Sequence, residues 1–173
     1  MRVLLPLLLV FGGCFDDYAV VYKMARGEHY STPRVFQTVD GNPFNFYATF
    51  DETALYEGSD DINKLYGFSD CNSTVHDNST RFGWRPNKDK ISIFSYVYCN
   101  GKRTFTYITD VTLNKKTRYS ISMGKDYVFT VNGVSVTENR CNNCNTGVYS
   151  LLQPYFGGNS PAPHDIYIKI TQL

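Results

Sequence analysis

An antiparallel all-β sandwich or jelly roll is the fold this chain predicts, on three observations. Beyond the first fourteen residues almost no stretch shows helical periodicity, whereas short alternating runs recur between Gly, Asn, Asp and Pro. Two Asn-Gly pairs, Asn100-Gly101 and Asn132-Gly133, stand between such runs, and this dipeptide readily takes the positive φ angles of a two-residue hairpin turn. Aromatic residues are abundant, with fourteen Tyr, twelve Phe and one Trp, while charged residues are 19% of the chain. That balance favours strands and wet binding faces.

The chain opens with MRVLLPLLLVFGGC, in which Arg2 precedes an apolar run and two glycines lead into Cys14. A bilayer-spanning helix needs about 20 residues, so this run is too short to be one. Its layout is that of a bacterial export signal cut before a cysteine. The expectation is a lipoprotein signal over 1–13 with Cys14 acylated, although Phe11 stands where an aliphatic residue is usual; the alternative is plain secretion, with Cys14 discarded as the tail of an ordinary signal peptide. With Cys14 acylated the protein is exported, lipid-anchored in the bacterial envelope and expected at the outer membrane. Residues 14–24 read as a tether or edge strand, and 25–173 as a single sandwich domain. About 160 residues remain after cleavage, enough for one respectable core.

Strand candidates follow at 35–39, 45–50 and 80–85. The first hairpin joins KISIFSYVYC to KRTFTYITDV through Asn100-Gly101. Its register sets Tyr98 against Arg103, Tyr96 against Phe105 and Phe94 against Tyr107. One face is therefore aromatic, and the other carries Ile91, Ile93, Ser95 and Val97. The default buries the aromatics; the alternative buries the aliphatic face and presents the rings as a platform. A strand at 118–123 precedes the second hairpin, KDYVFTV to VSVTEN, which has Tyr127, Phe129 and Val131 on one face. Candidates at 148–156 and 164–170 end the chain. Eight or more short strands without crossover helices suit a sandwich.

With Cys14 set aside, Cys71, Cys99, Cys141 and Cys144 remain, an even count that allows two disulfides in an exported chain and three connectivities. The C-N-N-C spacing reads best as a local staple, which leaves Cys71 with Cys99 as the long-range bridge. The formal net charge is +1, and it falls to zero once Arg2 is removed. No basic patch is evident, which argues against nucleic acid as a partner.

The segments LLQPYFGGNSPAPHDIYIKI, YVFTVNGVSV and INKLYGFSDCNSTVHDNSTRFGWR resemble a family of exported lipoproteins from Bacteroidetes-like bacteria. The YVFTVNG hairpin is also similar to that of concanavalin-like lectin and glucanase sandwiches. The resemblance implies a concanavalin-like sandwich at the cell surface that handles glycans, and it transfers no catalytic residue.

A retaining glycosidase needs two carboxylates about 5 Å apart, and no ExDxxE or ExDxE motif is present, since Glu28, Glu52, Glu57 and Glu138 are scattered. A β-elimination lyase needs a Tyr or His base and an Arg, Asn or Gln to neutralise a uronate. His76, Arg81 and Tyr98 are candidates for those roles, although the RxExR, QIH and YxxGxYxQ patterns of alginate-lyase sandwiches are absent. The stretch from Asp60 to Arg85 reads as a long loop dense in Asp, Asn, Ser and Gly, and such loops usually act or are disordered. In it Trp84 or Tyr66 is expected to stack on a sugar ring. Asp70, Asn72, His76, Asn78 and Arg81, with Arg103 from the neighbouring hairpin, would hydrogen-bond its hydroxyls. The competing reading puts Trp84 in the core and has the Asx residues satisfy turn backbone.

C-N-N-C could also be a redox pair or half a zinc site, but no second close Cys/His pair lies near. A structural calcium would have Glu28 and Asp165 as weak candidate ligands, or the carboxylates of Asp60, Asp61 and Asp70, with no EF-hand spacing. No other cofactor is expected. His164 and Asp165 are strand neighbours and point to opposite faces, which favours a structural role for both. The function expected is a surface-anchored, non-catalytic module that binds carbohydrate. A polyuronate lyase is the alternative, and a structural subunit whose partner is another surface protein is the third reading.

Overall fold

A computed structural model of the protein describes residues 18–173 apart from Gly41, Asn143 and Asn145. The expected signal and Cys14 lie outside the described residues. Two antiparallel sheets pack face to face. The strands are β1 (Val20–Met24), β2 (Ser31–Thr32), β3 (Phe44–Phe50), β4 (Asn63–Ser69), β5 (Ser79–Asn87), β6 (Lys90–Cys99), β7 (Lys102–Thr112), β8 (Thr117–Met123), β9 (Asp126–Val131), β10 (Val134–Asn139), β11 (Ser150–Leu152) and β12 (Ile166–Gln172). One sheet runs β10-β9-β8-β3-β12-β1-β2 and the other β11-β4-β5-β6-β7. The expected β-sandwich is therefore the fold.

Both Asn-Gly turns form as anticipated, with φ of 49° and 78° at Asn100 and Gly101 and of 47° and 88° at Asn132 and Gly133. The first hairpin has the expected register, Cys99 to Lys102, Tyr98 to Arg103, Tyr96 to Phe105 and Phe94 to Tyr107. Beyond Phe94 a bulge leaves Ile108 unopposed on β7, so that Ile108 and Val111 both reach the core.

The default choice of buried face is overturned. Ile91, Ile93 and Val97 enter the core, and Phe94, Tyr96 and Tyr98 lie on the outer face of the five-stranded sheet. The reason is volume. Phe82 and Trp84 of β5 already fill the interlayer space against Phe46, Tyr119, Phe129 and Phe50, with ring centroids 5.0–5.8 Å apart. Smaller branched residues must then complete that layer on β6. Each fully buried aromatic contributes roughly 1.5–3 kcal/mol over its exposed state.

Several expectations about elements need correction. Residues 60–85 are not one long loop: β4 and β5 form a hairpin within it, and only 60–62 and 70–78 lie outside strands. The alternation of β4 was masked by a bulge between Lys64 and Gly67, which buries Leu65 and Tyr66 together. Residues 35–39 make no strand beyond an isolated Thr38 to Ser150 bridge, and 148–156 yields only β11. β1 is an inner strand rather than the edge, because two-residue β2 lies outside it.

The disulfides are Cys71–Cys144 and Cys99–Cys141, not the local staple with a Cys71 to Cys99 bridge. Cys144 is thereby fastened to the 70–78 loop and Cys141 to the end of β6. A disulfide of this kind typically stabilises by about 2–4 kcal/mol. Beside them lies a buried ion pair. Arg140 donates from Nε to Asp70 Oδ2 at 2.8 Å and from Nη2 to Oδ1 at 3.0 Å, with side-chain exposures of 3% and 0%. The Tyr127 hydroxyl also donates to Asp70. Arg140 further donates to the carbonyls of Gly124 and Cys144, so all three guanidinium nitrogens have a partner.

Removing one partner strands a buried charge. Arg140→Met is expected to lower the unfolding free energy by about 3–5 kcal/mol, whereas adding Asp70→Leu should recover a large part of that loss. Denaturant titrations of the single and double variants check both.

Candidate functional site

The outer face of the five-stranded sheet carries the site. Cross-strand pairing sets its side chains in rows: Gly67, Arg81, Tyr96 and Phe105 form one, and Lys64, Gly83, Phe94 and Tyr107 the next. Two of these positions are glycine for a physical reason. A Cβ on Gly67 would lie 2.1 Å from the Thr80 carbonyl and 2.9 Å from Arg81 Cγ, and one on Gly83 would lie 2.5 Å from Ile62 Cγ2. The missing side chains lower the floor and leave Arg81 room to lie along it.

Loops raise the walls. Tyr30 and Arg34 stand on one side, and the segment from Leu151 to Asn159 curls over β4 through a reciprocal backbone bridge between Lys64 and Tyr155. The Asp61 carboxylate accepts the N–H groups of Gly158 (3.2 Å) and Asn159 (3.1 Å), which pins the 157–159 turn and holds the acid below its ordinary pKa. The result is a groove of about 520 Å³ lined by Tyr30, Arg34, Lys64, His76, Arg81, Tyr96, Tyr98, Arg103 and Tyr155 among others.

Charge is what sets this groove apart. Arg81 is only 6% exposed, and its Nε has no hydrogen-bond partner among the described residues. Its guanidinium lies over the Tyr96 ring, 5.4 Å from the centroid. Lys64 is 7% exposed, with Nζ donating to the Gly157 carbonyl at 2.5 Å and lying 5.0 Å and 5.6 Å from the Tyr96 and Tyr155 ring centroids. Neither cation forms an ion pair among the described residues. Burial, with the charge of Arg81 next to it, pulls the Lys64 ammonium down to about 8. Burial likewise lowers Arg81, to about 10. Two desolvated cations over tyrosine rings and without an ion-paired carboxylate are uncompensated positive charge, a setting chemically suited to an anion.

Of the residues singled out from the sequence, His76, Arg81, Arg103 and Tyr98 meet in this groove. The His76 ring packs edge-on to Tyr98 with centroids 5.4 Å apart. The others do not reach it. Trp84 is fully buried between the sheets and cannot stack on a ligand. Tyr66 is buried in the same core, its hydroxyl directed to Gln172. Asp70 is consumed by Arg140. Asn72 accepts the Val148 N–H, and Asn78 accepts the Asn100 N–H and donates to Ser73, so both tie loops together.

Calcium finds no support at the weak candidates. Asp165 pairs with Lys23 at 2.6 Å and accepts the Arg26 N–H, and no group of three metal-ligating side chains occurs among the described residues. His164 faces the Thr53 carbonyl, in keeping with a structural role. Lys64, Tyr155, Tyr30 and Arg34 were not anticipated. A lysine inside the apolar INKLYGF run was the one available signal for the first of them.

No protein-family model matches the sequence, and no curated protein matches it. Among solved structures, the chain is similar to an alginate lyase from Pseudomonas aeruginosa at 12% identity and a TM-score of 0.43, over 76% of this chain and 66% of that one. It is also similar to the carbohydrate-binding module CBM66 from Bacillus subtilis at 13% identity and a TM-score of 0.37, over 82% of this chain and 75% of that one. The chain thus spans just under two thirds of the lyase's length.

The depressed Lys64 has a consequence for stability. Its folded pKa, about 8, lies below its ordinary 10.5, so between these values the unfolded chain binds more protons. The burial penalty is present in full below about pH 8 and is relieved as pH rises toward 10.5. Stability of the unliganded wild type relative to Lys64→Met should therefore rise across that window, as paired denaturant titrations at several pH values would register.

Proposed function

We propose that the protein is an exported binding module whose groove takes an acidic glycan. The observation that carries this reading is Arg81, a buried guanidinium without a carboxylate, beside Lys64 and among tyrosine rings. Tyrosine faces suit the apolar side of a pyranose, and a guanidinium matches a carboxylate or sulfate in a bidentate fork. Neutral sugar hydroxyls would leave both cations uncompensated. Two disulfides are consistent with an oxidising compartment outside the cytoplasm. In this reading Cys14 carries the lipid anchor and the envelope surface is the site of action.

The meeting of His76, Arg81 and Tyr98 in one groove favours a second reading, a polyuronate lyase. Arg81 would pair with the uronate carboxylate and acidify the proton on the adjacent carbon. The Tyr98 hydroxyl or the His76 ring would take that proton. The electron pair would then form the carbon–carbon double bond, and the glycosidic oxygen would leave with a returned proton.

Titration calorimetry with oligouronates and with neutral oligosaccharides separates these accounts. Binding of the acidic oligomer alone, weakened at least tenfold in Arg81→Gln, is the expected result. Because Arg81 is a desolvated cation, that variant should melt no lower than wild type, which distinguishes loss of binding from loss of fold. Equal binding of neutral sugars would sink the acidic-glycan reading. Unsaturated product that disappears in Tyr98→Phe or His76→Ala would make the protein a lyase.

A further inference from the structure

On the reading that the groove takes an acidic glycan, we infer that the binding surface does not end at the groove but continues across the strands to the β7 edge, so that the ligand is a polymer lying over several rings. Phe105 and Tyr107, at 50% and 52% exposure, are among the most exposed large aromatics of the five-stranded sheet. Both lie on the groove's side of the sheet, since Phe105 pairs with Tyr96 and Tyr107 with Phe94. Phe94 supports both edge-on, with ring centroids 6.4 Å and 5.8 Å away. They are thus held rings rather than loose ones.

Cations run alongside them. The Arg103 guanidinium lies 6.0 Å from the Phe105 ring centroid, and that of Arg85 lies 5.3 Å from that of Phe94. Arg103 also lines the groove, so the two parts share a residue. From Lys64 on β4 to the Phe105 and Tyr107 rings on β7 is three strand spacings, roughly 14 Å. A surface of rings with cations at intervals, floored low by Gly67 and Gly83, matches a chain that presents alternating pyranose faces and acid groups. A protein partner would not need that continuity of charge with the groove.

The test is the dependence of affinity on ligand length, read by titration calorimetry with an oligouronate series from the disaccharide upward. Wild type should gain affinity with each added sugar until the track is filled. A Phe105→Ala, Tyr107→Ala double variant should bind the shortest bound oligomer as wild type does and lose about five- to tenfold on the longest. Both side chains are exposed on an edge strand, so the variant should melt as wild type does. If wild type reaches its full affinity with the shortest bound oligomer, or the variant matches it at every length, the extended track is wrong while the groove reading stands. Failure of every acidic oligomer to bind would remove both.

Discussion

Asp70 and Arg140 form the interaction on which the arrangement depends. The carboxylate ends β4, and the guanidinium leads out of β10 from the opposite sheet. Their bidentate contact therefore stitches the two layers at one end of the sandwich, with the Tyr127 hydroxyl as a third member and the Gly124 and Cys144 carbonyls accepting from Nη1 and Nη2. The contrast with Arg81 is instructive, because both arginines are buried. One has a carboxylate and two carbonyls, and its charge is spent on structure. The other lines a groove with a buried Nε that has no partner among the described residues, and in the proposed reading its charge is what an acidic ligand meets.

That availability has a steric origin. Gly67 sits directly across from Arg81, and any larger residue there would collide with the Thr80 carbonyl and with the arginine stem. Asp61, the acid nearest the groove's cations, has its Oδ2 held by the Gly158 and Asn159 N–H groups. Positive charge in the groove thus results from where the nearby acid is held as much as from where the bases stand.

How much of this could be read in advance depended on how local the cause was. The two hairpins and their registers follow from Asn-Gly turn chemistry, and the structure has both. Which face of β6 is buried depends on Phe82 and Trp84 filling the space from the neighbouring strand, a non-local matter that alternation along β6 cannot decide. The same gap explains the fate of Trp84, Tyr66 and Asp70, which look like ligand-binding residues when read within one segment and are core or ion-pair members once the layers close. Arg81, Tyr98 and Arg103 were within reach because strand parity places them on one side, and His76 because its loop leads straight into β5. Lys64 and Tyr155 meet through a bridge spanning about half of the chain, and nothing local indicates it.

The double fastening at Cys141 and Cys144 bears on when the groove comes into existence. The loop that carries His76 is tethered at Cys71 to Cys144, and the hairpin end beside it at Cys99 to Cys141, with Asn78 and Asp77 hydrogen-bonded across to Asn100 and Gly101. In a reducing interior the floor of the groove has its sheet but the wall bearing His76 lacks its covalent anchors. Completion of the groove is thus coupled to thiol oxidation: an oxidising compartment supplies both anchors of this wall, and a chain kept reduced carries it without them.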